Sequence, residues 1–233
     1  MSQKTGLPKE IENYLNFIYA VARENQVYLL VNDKGKKVVN EVGELCNDAI
    51  DHMSYFAKKH GEGTEAVKYA MSGYAYRILM PQSSAIYSNL LLGNTLTCFS
   101  QLRLMTESLA VSYAADAKFQ KGSMAVDKLG QLLQKDGKHI NTEKRLKDLD
   151  GAALELWRQL CDDWAHARGV MDNPVQEIIE KPGIPVWALT SPVTYAETEM
   201  ELLDTLGIRV ATFRSLLKLG MDKWKRDVLK VME

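Results

Sequence analysis

Apolar side chains recur in steps of three and four along most of this chain. Between Lys37 and His60 they fall at Val38, Val42, Leu45, Cys46, Ala49, Ile50, Met53, Phe56 and Ala57. That spacing predicts one long amphipathic helix with a single apolar stripe. A helix from Pro8 to about Gln26 precedes it, with Ile11, Tyr14, Leu15, Ile18 and Ala22 on its stripe and proline at its start. Residues 27–42 read in two ways. VYLLV and KKVV around Asn-Asp-Lys-Gly suit a short hairpin, or a helix end, a glycine-containing turn and a new helix. The second reading is preferred, because Val38 is already in phase with the stripe that follows.

Gly61 and Gly63 end the second helix, Thr64 caps a third, and Pro81 is expected to stop it. Ser83 or Ser84 then opens a long segment to about Phe119, bent near Gly93-Asn94. A short helix follows Ser123, and Asp136-Gly137 breaks it. Asn141 or Thr142 starts another that runs to Arg168-Gly169, loosened at Asp150-Gly151, and Thr194 caps a last one towards Val228. The pattern predicts an all-α fold, a single domain over residues 1–233 built as a bundle of six to seven helices. Residues 169–194 hold four of the six prolines among many apolar side chains. They are expected to be a connection packed on the bundle.

Pro81 to Leu102 carries no charge for 22 residues. Gln82, Ser83, Ser88, Asn89, Asn94, Thr97 and Gln101 interrupt it, which suits a helix buried among helices and not one in lipid. It is expected to be the central helix, with no membrane partner. Lys and Arg number 29 against 30 Asp and Glu, a balance that argues against a chain built to coat nucleic acid or an anionic membrane. The opening segment lacks the pattern of a secretory signal. Cys46, Cys98 and Cys161 have no paired spacing. Reduced thiols in a cytoplasmic protein are expected from them.

Phosphate loops, nucleophile elbows and zinc or calcium motifs are not found in the sequence, and no cofactor or metal is expected. Two polar clusters are the candidate chemistry. Arg103 and Glu107 stand one helical turn apart at the end of the uncharged run. They read as an intrahelical ion pair or as an anion-gripping site. Asp162 and Asp163 precede His166 at i, i+4 and i, i+3, flanked by Trp157 and Trp164. Either carboxylate could raise the imidazole's pKa and fix its tautomer, although a histidine near a helix C-terminus is also a favourable cap. Glu44, Asp48 and His52 line one face of the second helix and read as a solvated row. A single metal on Glu107, Asp163 and His166 is a third option.

The R-x-x-x-E element, the tryptophan- and aspartate-flanked His166 and the proline-rich exit resemble the HEPN-like helical proteins, over roughly residues 84–173. The resemblance implies a helical bundle, often a homodimer, found in toxin–antitoxin and phage-defence systems, in which some members are metal-independent ribonucleases. Active members carry an arginine, four to six residues, then histidine, at the dimer interface. Here Arg158 precedes His166 with seven residues between, and eight steps of about 100° put Arg158 off the His166 face. The resemblance therefore implies a binding domain for nucleotide, RNA phosphate or a protein partner. Arg103 and Glu107 would be its ligand-binding pair, and His166, Asp162 and Asp163 its catalytic set if it is a ribonuclease.

Overall fold

The structure is a computed structural model that describes residues 8–60, 68–119, 124–137, 139–163, 194–195 and 200–229. Its helices are α1 (Lys9–Val31), α2 (Asp33–His60), α3 (Ala70–Tyr74), α4 (Met80–Leu91), α5 (Thr95–Lys118), α6 (Ala125–Asp136), α7 (Thr142–Leu149), α8 (151–163) and α9 (Met200–Trp224). No strand occurs among the described residues. The fold is all-α, as the periodicity predicts.

Residues 27–42 are helical on both sides of a single extended residue, Asn32. The Asn32 side chain accepts a hydrogen bond from the Lys34 N–H at 3.0 Å, so it caps α2 directly after α1 has ended. Gly35 is thus inside the first turn of α2, not in a connecting turn. A methyl group there would lie 2.5 Å from the Leu29 carbonyl oxygen and 2.7 Å from its Cα.

Pro81 does not stop the third helix. Ala75–Leu79 form a π-helical turn that joins α3 to α4, and the helix continues through Pro81. Proline breaks an α-helix because it lacks an N–H and its ring meets the carbonyl four residues back. A wider turn placed just before it removes that carbonyl from the ring's path.

The uncharged run is likewise not one bent helix. It divides at 92–94 into α4 and α5, with Gly93 at φ 72°, a conformation that favours glycine. The two helices fold back on each other. The Cys98 thiol reaches the Ile86 carbonyl at 3.6 Å, and the Asn89 amide donates to Gln101 at 3.3 Å. Ser83, expected as a cap, instead donates within the turn to the Met80 carbonyl. α5 is the central helix, packed by α3, α4, α6, α7 and α9, with thirteen buried residues.

The last helix also starts differently. Tyr195 is not in its first turn: its N–H donates to the Asn25 side chain at 2.9 Å and its hydroxyl to the Leu90 carbonyl at 2.7 Å. Its ring stacks on Tyr28, which anchors this point of the chain to α1 and α4. The structure describes α9 from Met200 onward, lying against α2 and α5. Near its end Trp224 is fully buried, edge-on to Phe56 and Tyr69 with ring centres 5.3 Å away in each case.

Candidate functional site

Arg103 and Glu107 are brought together: the Arg103 Nε donates to the Glu107 carboxylate at 2.9 Å. A third residue, Trp157 on α8, joins them. Its indole N–H donates to the same carboxylate oxygen at 2.5 Å, and the Arg103 guanidinium lies 5.3 Å from its ring centre. The Cys161 thiol sits within the field of Arg103 and Glu107, and burial holds its pKa above the ordinary value. Arg103 remains 42% exposed at its side chain. Its two terminal nitrogens have no partner among the described residues.

Asp162 and Asp163 part company. Asp162 is exposed on α8. Asp163 turns to α9, where Arg209 donates to both its oxygens at 2.5 and 3.4 Å and also to Gln159 at 2.8 Å. His166 and the connection at 169–193 lie outside the described residues. No group of three or more His, Cys, Asp or Glu among the described residues is placed to hold a metal ion.

The Glu44, Asp48 and His52 row is more than a solvated face. Arg214 of α9 donates to Asp48 at 2.6 Å, to Glu41 at 2.9 Å and to Glu44 at 3.4 Å. This is the polar seam of the α2–α9 packing. His52 is half-buried beside it. Desolvation first, and then Lys225, lower its pKa despite Asp48, Asp51 and Asp222 nearby. A histidine kept neutral by the fold is protonated first in the unfolded chain. The melting temperature is therefore expected to fall as pH drops below about 6.5, the usual histidine value. His52→Gln should flatten that limb of the curve, and an unchanged slope would show that another group carries it. A separate loss lies at lower pH. Burial acts to raise Asp136, Asp148 and Asp227, but hydrogen bonds from Arg145, Lys118 and Tyr113 respectively hold them below the carboxylate range. Their stabilisation is present above about pH 4 and is lost as they protonate.

A fully buried charge cluster lies outside the residues the sequence singles out. Asp116 is fully buried on α5. One oxygen accepts from the Ala70 N–H and the Lys128 ammonium, both at 2.9 Å. The other accepts from the Met71 N–H at 3.1 Å and the Trp224 indole at 2.9 Å. This carboxylate caps α3 from outside its own helix and ties α3, α5, α6 and α9 together. Lys128, also buried, lies 5.1 Å from the Tyr69 ring centre. The one available signal was an isolated acid in the apolar run LAVSYAADA. Arg145, equally buried, pairs with Asp136 and Asp148 at the α6–α7 corner.

Beside this cluster, a cavity of about 700 Å³ opens between α3, the π turn, α5 and α6. Ile78, Val111, Val126 and Leu129 make it largely apolar, Arg77 and Glu107 supply its charged lining, and Gly73 and Tyr74 belong to its wall. A Cβ at Gly73 would meet nothing within 4 Å. The Tyr74 hydroxyl is buried without a hydrogen-bond partner among the described residues, and burial raises its pKa well above the ordinary value. An orphan of this kind costs stability. Tyr74→Phe is expected to raise the stability of the protein by about 1 kcal/mol in chemical denaturation. A loss of that size would mean that the hydroxyl has a partner.

The fold and this geometry define an all-α helical protein centred on the buried helix α5, with a largely apolar cavity on one flank. No protein-family model, curated protein or solved structure matches the chain. Among the described residues, no helix is long and apolar enough to cross a membrane.

Proposed function

We propose that this chain is a ligand-binding helical domain whose site is the cavity between α3, the π turn, α5 and α6. The cavity itself carries the reading. Its volume, about 700 Å³, falls in the range of small-molecule sites, and its apolar lining with a few polar groups is the usual make-up of such sites. Gly73 leaves open space in one wall, which makes a direct test possible. In Gly73→Leu the new side chain should occupy the cavity. Decanol, a neutral apolar probe, should raise the melting temperature of the wild type by mass action. The variant should melt higher than the wild type unaided, since glycine within a helix is unfavourable, and should gain nothing from decanol. Equal gains in both proteins would remove the cavity as the site.

One observation favours a second reading. The two terminal nitrogens of the half-exposed Arg103, without a partner among the described residues, could meet a phosphate, as a HEPN-like homodimer binding nucleotide or RNA would require. RNA cleavage in chelator by the wild type, lost in His166→Ala, would support its ribonuclease form. Intact RNA with both proteins would remove that form.

A further inference from the structure

We infer that the ligand of this cavity is an amphipathic carboxylic acid, its apolar body inside and its carboxylate on Arg77; the inference rests on the cavity being the binding site. The two charged residues of the lining are not equivalent. The Glu107 carboxylate already accepts from Arg103 and Trp157, both on one oxygen, so its charge is compensated by the Arg103 guanidinium beside it. Arg77 is exposed, and no carboxylate or other hydrogen-bond partner meets it among the described residues. The cavity therefore presents one unanswered positive charge, and it presents it on the solvent side, where the head of an amphiphile would sit.

The shape of that charge selects the head group. A guanidinium offers two parallel N–H donors, which match the two oxygens of a carboxylate. No second basic residue stands in the described lining, whereas phosphate sites gather several donors. The body of the ligand is set by the apolar wall. Ile78 and Val111 form it on the inner side, and Val126, 72% exposed, stands with Leu129 on α6. A bound chain would remove that valine from water. Each methylene buried there should tighten binding about three- to fourfold, until the cavity is full.

The test is titration calorimetry with octanoate, decanoate and dodecanoate below their micellar concentrations and with decanol below its solubility limit. Decanoate is expected to bind the wild type about two- to fivefold more tightly than decanol, a modest margin because Arg77 is open to water. Arg77→Gln should lose that preference and bind decanol as before, while Arg77→Lys keeps part of it. Gly73→Leu should bind neither probe. Equal affinities for acid and alcohol in the wild type, or a preference that survives in Arg77→Gln, would overturn the carboxylate assignment and leave the cavity standing as an apolar site. If neither probe binds the wild type, or both bind Gly73→Leu as well as the wild type, the cavity reading falls and this inference with it. Arg77 is exposed, so the circular dichroism spectra and melting curves of its variants should match the wild type.

Discussion

Asp116→Ala is expected to destabilise the protein by roughly 3–5 kcal/mol, a large share of the stability of an ordinary domain. The carboxylate receives four donors, two of them the first N–H groups of α3, one a buried ammonium and one a buried indole. Alanine leaves all four without an acceptor, and it leaves the Lys128 charge unpaired where its side chain is only 3% exposed. An uncompensated buried charge is the costliest of these losses. Lys128→Met should cost less, because Asp116 keeps three N–H donors and the methionine can fill the space against Tyr69. In the double variant the two costs should not add, since the lysine that makes Asp116→Ala so damaging is gone. Urea denaturation of the three variants measures this. Additive costs, or an Asp116→Ala loss below about 1 kcal/mol, would show that water takes over the carboxylate's role.

Gly35→Ala should cost about 3 kcal/mol, against the usual direction for this substitution within a helix. The contact it would create is with backbone: the Leu29 carbonyl oxygen, Cα and carbonyl carbon lie 2.5, 2.7 and 2.9 Å from the built Cβ. Flexible side-chain ends can give way, but this backbone cannot, because the Leu29 side chain is fixed in the core at 0% exposure. Gly43 is an internal control on the same helix, with open space around its Cβ. Gly43→Ala should stabilise by up to about 1 kcal/mol. Thermal melts of the pair should move in opposite directions. A Gly35→Ala protein as stable as the wild type would mean that α1 and α2 can part at their corner without loss.

The legible part of the fold was the part that a repeating apolar stripe controls. On α2, Val38, Val42, Leu45, Ala49 and Phe56 are all fully buried, as the stripe requires, whereas Ile50 and Ala57, read onto the same stripe, are exposed. The same method misread the start of α1, where Ile11 and Tyr14 are exposed and the buried positions are Val21, Asn25 and Leu29. Periodicity shows which residues share a face, but not how far along a helix that face is covered. Pro81 was read by a rule that assumes an α-helical turn before it, and the π turn breaks that assumption.

The candidate site was legible only within single helices. Arg103 with Glu107 followed from a spacing of four, whereas their link to Trp157 spans 50 residues, and Asp163 with Arg209 spans 46. Nothing in a local pattern distinguishes a carboxylate facing water from one facing an arginine on a distant helix. The cavity was invisible for the same reason, because its walls come from four separate stretches of chain.

The placement of α9 has a consequence for the order in which the protein acquires its structure. α2, near the start of the chain, meets α9 through Arg214 and Glu41, 173 positions apart, and Trp224 completes the Asp116 cluster from 108 positions away. A chain emerging from the ribosome can form α1, α2 and the α4–α5 hairpin early, since each is local in sequence. The face of α2 that meets α9, and the Asp116 oxygen that accepts from the Trp224 indole, must then wait for the last helix to arrive. Closing such distant contacts is slow. The interval before closure leaves apolar helix faces open to association with other chains. A nascent chain stalled short of Trp224 should therefore be captured by chaperones far more readily than the full-length product.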